Sequence, residues 1–182
     1  MKVTPLAIPD VCLIEPQVFG DPRGFLLVSW IEETFRREVA DVGFVQDNHS
    51  RSRKGTLRGL HFQAEHTQGK LVRCGSGRLL DVAVDVRRSS PTFGKWVAAE
   101  LSDENHHQLW VPAGFAHGFL VLSESADLHY KVTDKYHPQS ERTLQWDDPA
   151  VGIDWTLEPG VAPLLSPKDA LGTLLSALEP LP

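Results

Sequence analysis

The sequence predicts an all-β double-sheet fold, a jelly roll or a barrel, with a few short peripheral helices. Three observations carry that expectation. Short apolar stretches of strand length follow one another through most of the chain, Gly and Pro turns separate them, and only one segment of the first half has helical spacing. Several stretches alternate apolar and polar with period two, as a strand with unlike faces must. At 182 residues the chain can build one full core and is short for two, so a single domain over 1–182 is expected.

Composition narrows the function classes. Hydrophobic residues at 41% and charged residues at 23% describe a folded chain rather than a disordered one. A net charge of −6 without clusters of Lys and Arg gives no electrostatic source for a nucleic-acid partner, although a local anion site remains open. The opening MKVTPLAIPDVCLIEP is interrupted by Pro5, Pro9 and Asp10, so it reads as neither a signal peptide nor a membrane span, and the cytoplasm is the default location. Cys12 and Cys74 stand far apart, without metal-ligand spacing and without a disulfide framework.

Taken in order, Val11 to Ser29 gives short apolar stretches around VFGDPRGF, where Asp21-Pro22 and Gly24 make a turn and Arg23 sits at its mouth. Ile31, Phe35 and Val39 recur at helical spacing, which predicts a helix over 32–39 packed on the outside of a sheet. In FVQDNHS, Val45, Asp47 and His49 share one strand face, and Gln46 and Asn48 share the other, where their amides suit sugar hydroxyls or base edges. Gly75-Ser76-Gly77 reads as a hairpin turn. LLDVAVDVR then puts Leu80, Val82, Val84 and Val86 on one side and Asp81, Ala83 and Asp85 on the other. Further strands are expected at 95–101, 108–111, 117–122, 127–133 and 143–146. Ser166-Pro167-Lys168-Asp169 has the signature of a helix start, which predicts a helix over about 167–178, followed by a loose tail.

The stretch from Leu57 to Cys74, LRGLHFQAEHTQGKLVRC, carries the chemistry. Arg58, His61, Lys70 and Arg73 lie in apolar runs, and burying such groups is costly unless they are paired or used. Alternation places Arg58, Leu60 and Phe62 on one face and Leu57, Gly59, His61 and Gln63 on the other. By itself His61 reads as a satisfied core histidine, Tyr130 as a core-edge tyrosine, Lys70 as an exposed strand lysine and Asp169 as a helix-dipole acid.

The motifs VFGDPRGF, FVQDNHS, LRGLHFQ, QGKLVRC, DVAVDVRRSSPTFG, QLWVPAGFAHGF and LSPKDA occur in that order between Val18 and Asp169, and together they resemble the dTDP-4-dehydrorhamnose 3,5-epimerases of deoxysugar biosynthesis. The resemblance implies a cupin-type jelly roll, a double-stranded β-helix, with no catalytic metal and no cofactor. It further implies a homodimer that acts on a dTDP-linked 4-keto-6-deoxyhexose in the route to dTDP-L-rhamnose. In such a sugar C3 and C5 both flank the ketone, so proton abstraction through an enolate can invert either centre. An imidazole titrating near neutrality suits the base, which makes His61 the candidate. The resemblance gives Asp169 the place behind it, Lys70 would meet the charge growing on the C4 oxygen, and Tyr130 would deliver a proton from the opposite face. By the same resemblance Arg23, Gln46, Asn48, Arg58, His117, Glu141 and Lys168 line the site, and Tyr136 stacks on the thymine. Arginine suits the diphosphate because its planar fork donates two parallel hydrogen bonds.

The chain departs from the family pattern at Val28, where an acid is usual, at Leu26 and Leu27, which replace aromatic rings, and at His129 before Tyr130. These positions bear on substrate or base recognition and leave the catalytic set intact. Three other readings compete: a single-centre epimerase of a related sugar, a metal-dependent cupin enzyme, and a silent sugar-binding module. The adjacent His106-His107 would point to opposite faces of a strand, which weakens the metal reading.

Overall fold

The computed structural model describes residues 1–158, 160–179 and 181. Its elements run β1 (Lys2–Pro5), β2 (Cys12–Glu15), β3 (Val18–Asp21), β4 (Gly24–Leu27), α1 (Glu32–Glu38), β5 (Gln46–Arg53), β6 (Leu57–Gln63) and β7 (Lys70–Ser76). They continue as β8 (Arg78–Asp85), β9 (Trp96–Ser102), β10 (Gln108–Val111), β11 (Phe115–Val121), β12 (Ser125–Val132) and β13 (Glu141–Thr143). One sheet has the order β1-β2-β10-β7-β12-β5, the other β13-β6-β11-β8-β9, and β3 and β4 form a separate ribbon. From β5 onward nearly every step of the chain crosses from one sheet to the other, which is the winding of the jelly roll expected from the sequence. The sheets face each other without closing into a barrel.

The apolar residues sort into layers. Val72, Leu109 and Leu128 of the first sheet meet Leu79, Val97, Leu101 and Phe115 of the second in the central core. Val82, Val84 and Val86 point the other way, into an outer core covered by Trp155, Leu178 and Leu181. The two-faced reading of β8 therefore holds, and both of its faces are buried. On the first sheet's outer face, Phe35 of α1 packs edge-on against Trp110 at 5.3 Å, where the helical spacing put it.

Three expectations about the course of the chain do not hold. Gly75-Ser76-Gly77 is a corner between sheets rather than a hairpin, because β7 pairs with β10 and β12 while β8 pairs with β9 and β11. The predicted helix over 167–178 is a single 3-10 turn, Asp169–Leu171. The capping contact is present, with the Asp169 N–H donating to Ser166 Oγ at 3.2 Å. Beyond the turn, Thr173 instead bridges to Leu144, with Thr173 N–H on the Thr143 carbonyl and Gln145 N–H on the Thr173 carbonyl, so sheet pairing takes the backbone groups a helix needs. Nor is the end loose: Leu181 is buried and exchanges backbone bonds with Val86 and Arg88, while Pro180 and Pro182 lie outside the described residues.

Candidate active site

A cavity of about 390 Å³ opens between the sheets. Alternation along β5 turns Gln46, Asn48 and Ser50 into it and leaves Asp47 and His49 outside, as the sequence predicted. Asp47 there takes the Lys131 ammonium at 2.6 Å, and His49 stacks on His129 at 4.1 Å across the strand pair.

Along β6 strict alternation fails, and the failure builds the site. His61 pairs with His117 but Arg58 pairs with Phe119, so β6 spends three steps where β11 spends two. The extra residue is a bulge, which turns both Arg58 and His61 into the cavity and sends Leu57 and Leu60 together to the outer core. The assignment of Arg58 and His61 to opposite faces is thereby corrected. Gly59 sits at the bulge with φ of 123°, and a Cβ there would lie 2.6 Å from Gly118 Cα, so glycine is required both for conformation and for room.

His61 Nε2 lies 2.6 Å from Asp169 Oδ1. Asp169 is buried, yet Oδ1 also accepts the Gly59 N–H at 3.3 Å and Oδ2 accepts the Ser166 hydroxyl at 2.7 Å. Burial pushes this carboxyl up, but the His61 and Ser166 hydrogen bonds, with the His61 charge and the Gly59 N–H, outweigh it and hold the pKa at about 2. An ionised carboxylate only accepts, so Nε2 carries the ring proton and Nδ1 is left with the lone pair of a base.

Lys70 is buried and donates to the His61 carbonyl at 3.0 Å. Burial pulls its pKa down to about 8, against the raising influence of Asp81 and Glu141. The exposed strand lysine of the bare sequence is thus a desolvated cation at the cavity floor. Tyr130 lines the same cavity half-buried, and burial, opposed by Arg58 and helped by Glu141, raises its pKa, so the phenol keeps its proton.

Toward the mouth the polar residues link into a frame. Arg58 Nε donates to Ser52 Oγ at 3.0 Å, Gln46 Nε2 to Asn48 Oδ1 at 2.7 Å, and Asn48 Nδ2 to the Tyr130 carbonyl at 3.5 Å. Glu141 accepts from Lys168 at 2.8 Å and from the Tyr136 hydroxyl at 3.0 Å. Burial raises the Glu141 pKa, but the bonds from Lys168 and Tyr136 win and leave it lowered. Arg23 stands apart: its side chain is 89% exposed, ion-paired with Asp21 at the tip of the β3–β4 ribbon, and does not border this chain's cavity.

His117 also reaches the cavity, buried, with Nε2 2.8 Å from Asp81 Oδ1. Asp81 was placed by the sequence only on a strand face and given no role, although an acid within the apolar run LLDVAV was the available signal. Ser166 and Gln63 were missed too. Gln63 is buried, and its amide oxygen accepts the His137 N–H at 2.7 Å while its NH2 donates to the His66 carbonyl at 2.6 Å. A metal-dependent cupin would gather three ligands inside the cavity; among the described residues, the one His/Cys/Asp/Glu group with such spacing is His66, Asp134 and His137, on loops outside the reacting groups.

The family model described as dTDP-4-dehydrorhamnose 3,5-epimerase matches residues 5–177. A protein of that name from Pseudomonas aeruginosa is 58% identical over 94% of this chain and 94% of its own length. A Neisseria gonorrhoeae protein of the same name is 56% identical over 98% of this chain, which spans 54% of that protein's length. The crystal structure of dTDP-6-deoxy-D-glucose-3,5-epimerase from Legionella pneumophila, in complex with dTDP-4-keto-L-rhamnose, superposes with a TM-score of 0.94 at 49% identity, covering 98% of this chain and 94% of that one.

Proposed function

The chain belongs to the dTDP-4-dehydrorhamnose 3,5-epimerase family of isomerases, and from that premise we propose that it epimerises dTDP-4-dehydro-6-deoxy-D-glucose at C3 and C5 to dTDP-4-dehydro-L-rhamnose. The observation that carries this reading is the His61–Asp169 pair beside the buried Lys70 ammonium in one cavity. His61 Nδ1 removes the proton alpha to the ketone, and Asp169 fixes the ring and stabilises the imidazolium that results. The electron pair moves onto the C4 oxygen, where the Lys70 ammonium meets it with little water to screen the attraction. Tyr130 gives a proton to the opposite face of the enolate, which inverts the centre; the tyrosinate then regains a proton from solvent and the His61 imidazolium releases to solvent the proton it took, which restores both groups. Because C3 and C5 flank one carbonyl, the same set serves both centres after the sugar ring shifts.

The nucleotide handle lies along the frame at the mouth. Arg58 and Lys168 face the diphosphate, Gln46, Asn48 and Glu141 face sugar and base, His117 borders the sugar, and Tyr136, half exposed, offers its ring to the thymine. Arg23 joins the diphosphate of a second copy's site. Support for this homodimer comes from the β3–β4 ribbon, which carries Phe19, Phe25 and Leu26 exposed at 56%, 60% and 68% and holds Arg23 away from its own cavity. A sedimentation experiment showing a stable, fully active monomer would defeat the assembly. A cytoplasmic location belongs to the same proposal and is supported by Cys12 and Cys74, both buried and unpaired. Among the described residues no helix is long and apolar enough to cross a membrane.

A proton NMR time course in heavy water, with the 4-keto-6-deoxyglucose nucleotide as substrate, tests the reaction. Loss of signal at both C3 and C5 is expected. Loss at C3 alone would overturn double inversion in favour of a single-centre epimerase, and binding without exchange would indicate a silent sugar-binding module.

A further inference from the structure

At the cavity rim, away from the reacting groups, two loops bring together side chains that the epimerase chemistry does not use. His66 lies between β6 and β7, and Asp134 and His137 follow β12. One ligand-type atom from each of the three lies within 4.8 Å of the others. His66 Nδ1 is 3.3 Å from Asp134 Oδ2, which matches the edge of about 3.3 Å that a tetrahedral zinc site needs between two ligands at about 2.0–2.1 Å. The His66 and His137 rings lie parallel with centroids 3.8 Å apart.

The backbone of this cluster is held in place by two glutamine amides, of which Gln63 is buried. The Gln63 NH2 donates to the carbonyls of His66 at 2.6 Å and Lys135 at 3.2 Å, and its oxygen accepts the His137 N–H at 2.7 Å. Gln68 Nε2 donates to the Asp134 carbonyl at 2.8 Å. All three residues are thus fixed to the same pair of glutamines, so the loops pay little ordering entropy when the side chains converge. Beside them opens a depression whose charged lining is Glu65, Glu179 and Arg142, with room for water on the remaining coordination position.

We propose that His66, Asp134 and His137 form a site for a divalent transition-metal ion that staples the loop after β6 to the segment after β12. Two imidazoles and a carboxylate suit zinc, nickel or copper and are a poor set for magnesium or calcium. His66 and Asp134 are about half exposed, so rotation of their side chains is not blocked by burial; that rotation closes the widest gap and opens the His66–His137 stack, so that both imidazole planes can aim at one ion. The ion is structural, because its ligands lie outside the group formed by His61, Lys70, Tyr130 and Asp169.

Calorimetric titration of the tag-free full chain with zinc chloride tests the site, together with hydrogen exchange of the amides at 64–69 and 133–137. The expected result is one zinc ion per chain, slower exchange confined to those two loops, and a rise in the melting midpoint of about 5 °C when zinc is near a hundredfold over its dissociation constant. His66→Ala and His137→Ala should each weaken binding at least about tenfold. His49→Ala, in the other stacked histidine pair, should leave binding unchanged. Magnesium should not compete. Absence of saturable zinc binding to the wild-type chain overturns the proposal, as does unchanged affinity in both His66→Ala and His137→Ala. Because these side chains belong to loops rather than the core, the zinc-free midpoint of each variant should match the wild type, and a large drop would assign the residues to folding instead.

Discussion

The cavity holds two histidine–aspartate pairs that face each other across β6 and β11, since His61 and His117 are register partners. Their surroundings differ. The His61 side chain is 27% exposed and opens to the cavity, and its partner Asp169 has both oxygens hydrogen-bonded. His117 is 8% exposed, and Asp81 behind it is fully buried, with Oδ2 lacking a partner among the described residues. The first pair can accept a charge, because a satisfied carboxylate and nearby solvent stabilise an imidazolium. The second is built into the core, where any change of charge would be poorly solvated. In the proposed mechanism the first pair moves the proton, whereas the second, although His117 borders the same cavity, is held in the buried framework, and the environment makes the distinction.

The largest expected effect breaks this comparison on the kinetic side. His61→Asn should lower proton exchange at both carbons by about a hundredfold or more while nucleotide-sugar affinity and the melting midpoint change little. His117→Ala should do the reverse, costing about 3 kcal/mol of stability by stranding a buried carboxylate, with a smaller loss in rate. Equal rate losses with unchanged midpoints, measured by NMR exchange and thermal unfolding, would dissolve the distinction.

Lys70→Met should come next, lowering exchange by about a hundredfold through loss of the enolate's cation. It should also raise the melting midpoint. The folded pKa of about 8 lies below the ordinary 10.5, so the unfolded chain binds more protons between those values. Wild-type stability therefore gains as pH rises from 8 to 10.5, whereas turnover falls above pH 8 as the ammonium is lost. A variant less stable than the wild type at pH 7 would show that the buried cation is well paired after all.

Asp169→Asn sharpens the contrast on the acid side. The wild-type carboxyl is held near 2 against an ordinary 3.8, so its contribution to stability is present above about 3.8 and disappears as pH falls through 2. The variant should lose that slope in an acid unfolding series, along with most of its turnover. The smallest effect is expected for Ser166→Ala, which removes one hydrogen bond to the carboxylate and should cost about 1 kcal/mol of stability and a modest part of the rate. A loss as large as that of Asp169→Asn would mean that the hydroxyl, rather than the carboxylate, sets the position of His61.

What the sequence determined by itself was local. Period-two alternation was enough to put Gln46 and Asn48 on one face of β5 and Asp81 and Asp85 on the face of β8 opposite Val82 and Val84, and helical spacing was enough to place α1, because these patterns need only the chain's own geometry. The tertiary structure decided what depends on a neighbour. Arg58 and His61 share the cavity because β11 has no room beside Gly59 for a side chain and β6 bulges there. The apolar C-terminal segment gave up its helix because Leu144 and Val86 offered sheet-like partners and the outer face of β8 needed covering. Lys70 changed from a surface lysine to a desolvated cation once the second sheet closed over it, and Asp81 from a strand acid to the partner of His117 once β11 paired beside β8. Burial and pairing are properties of two chain segments at once, and no window on one segment contains them.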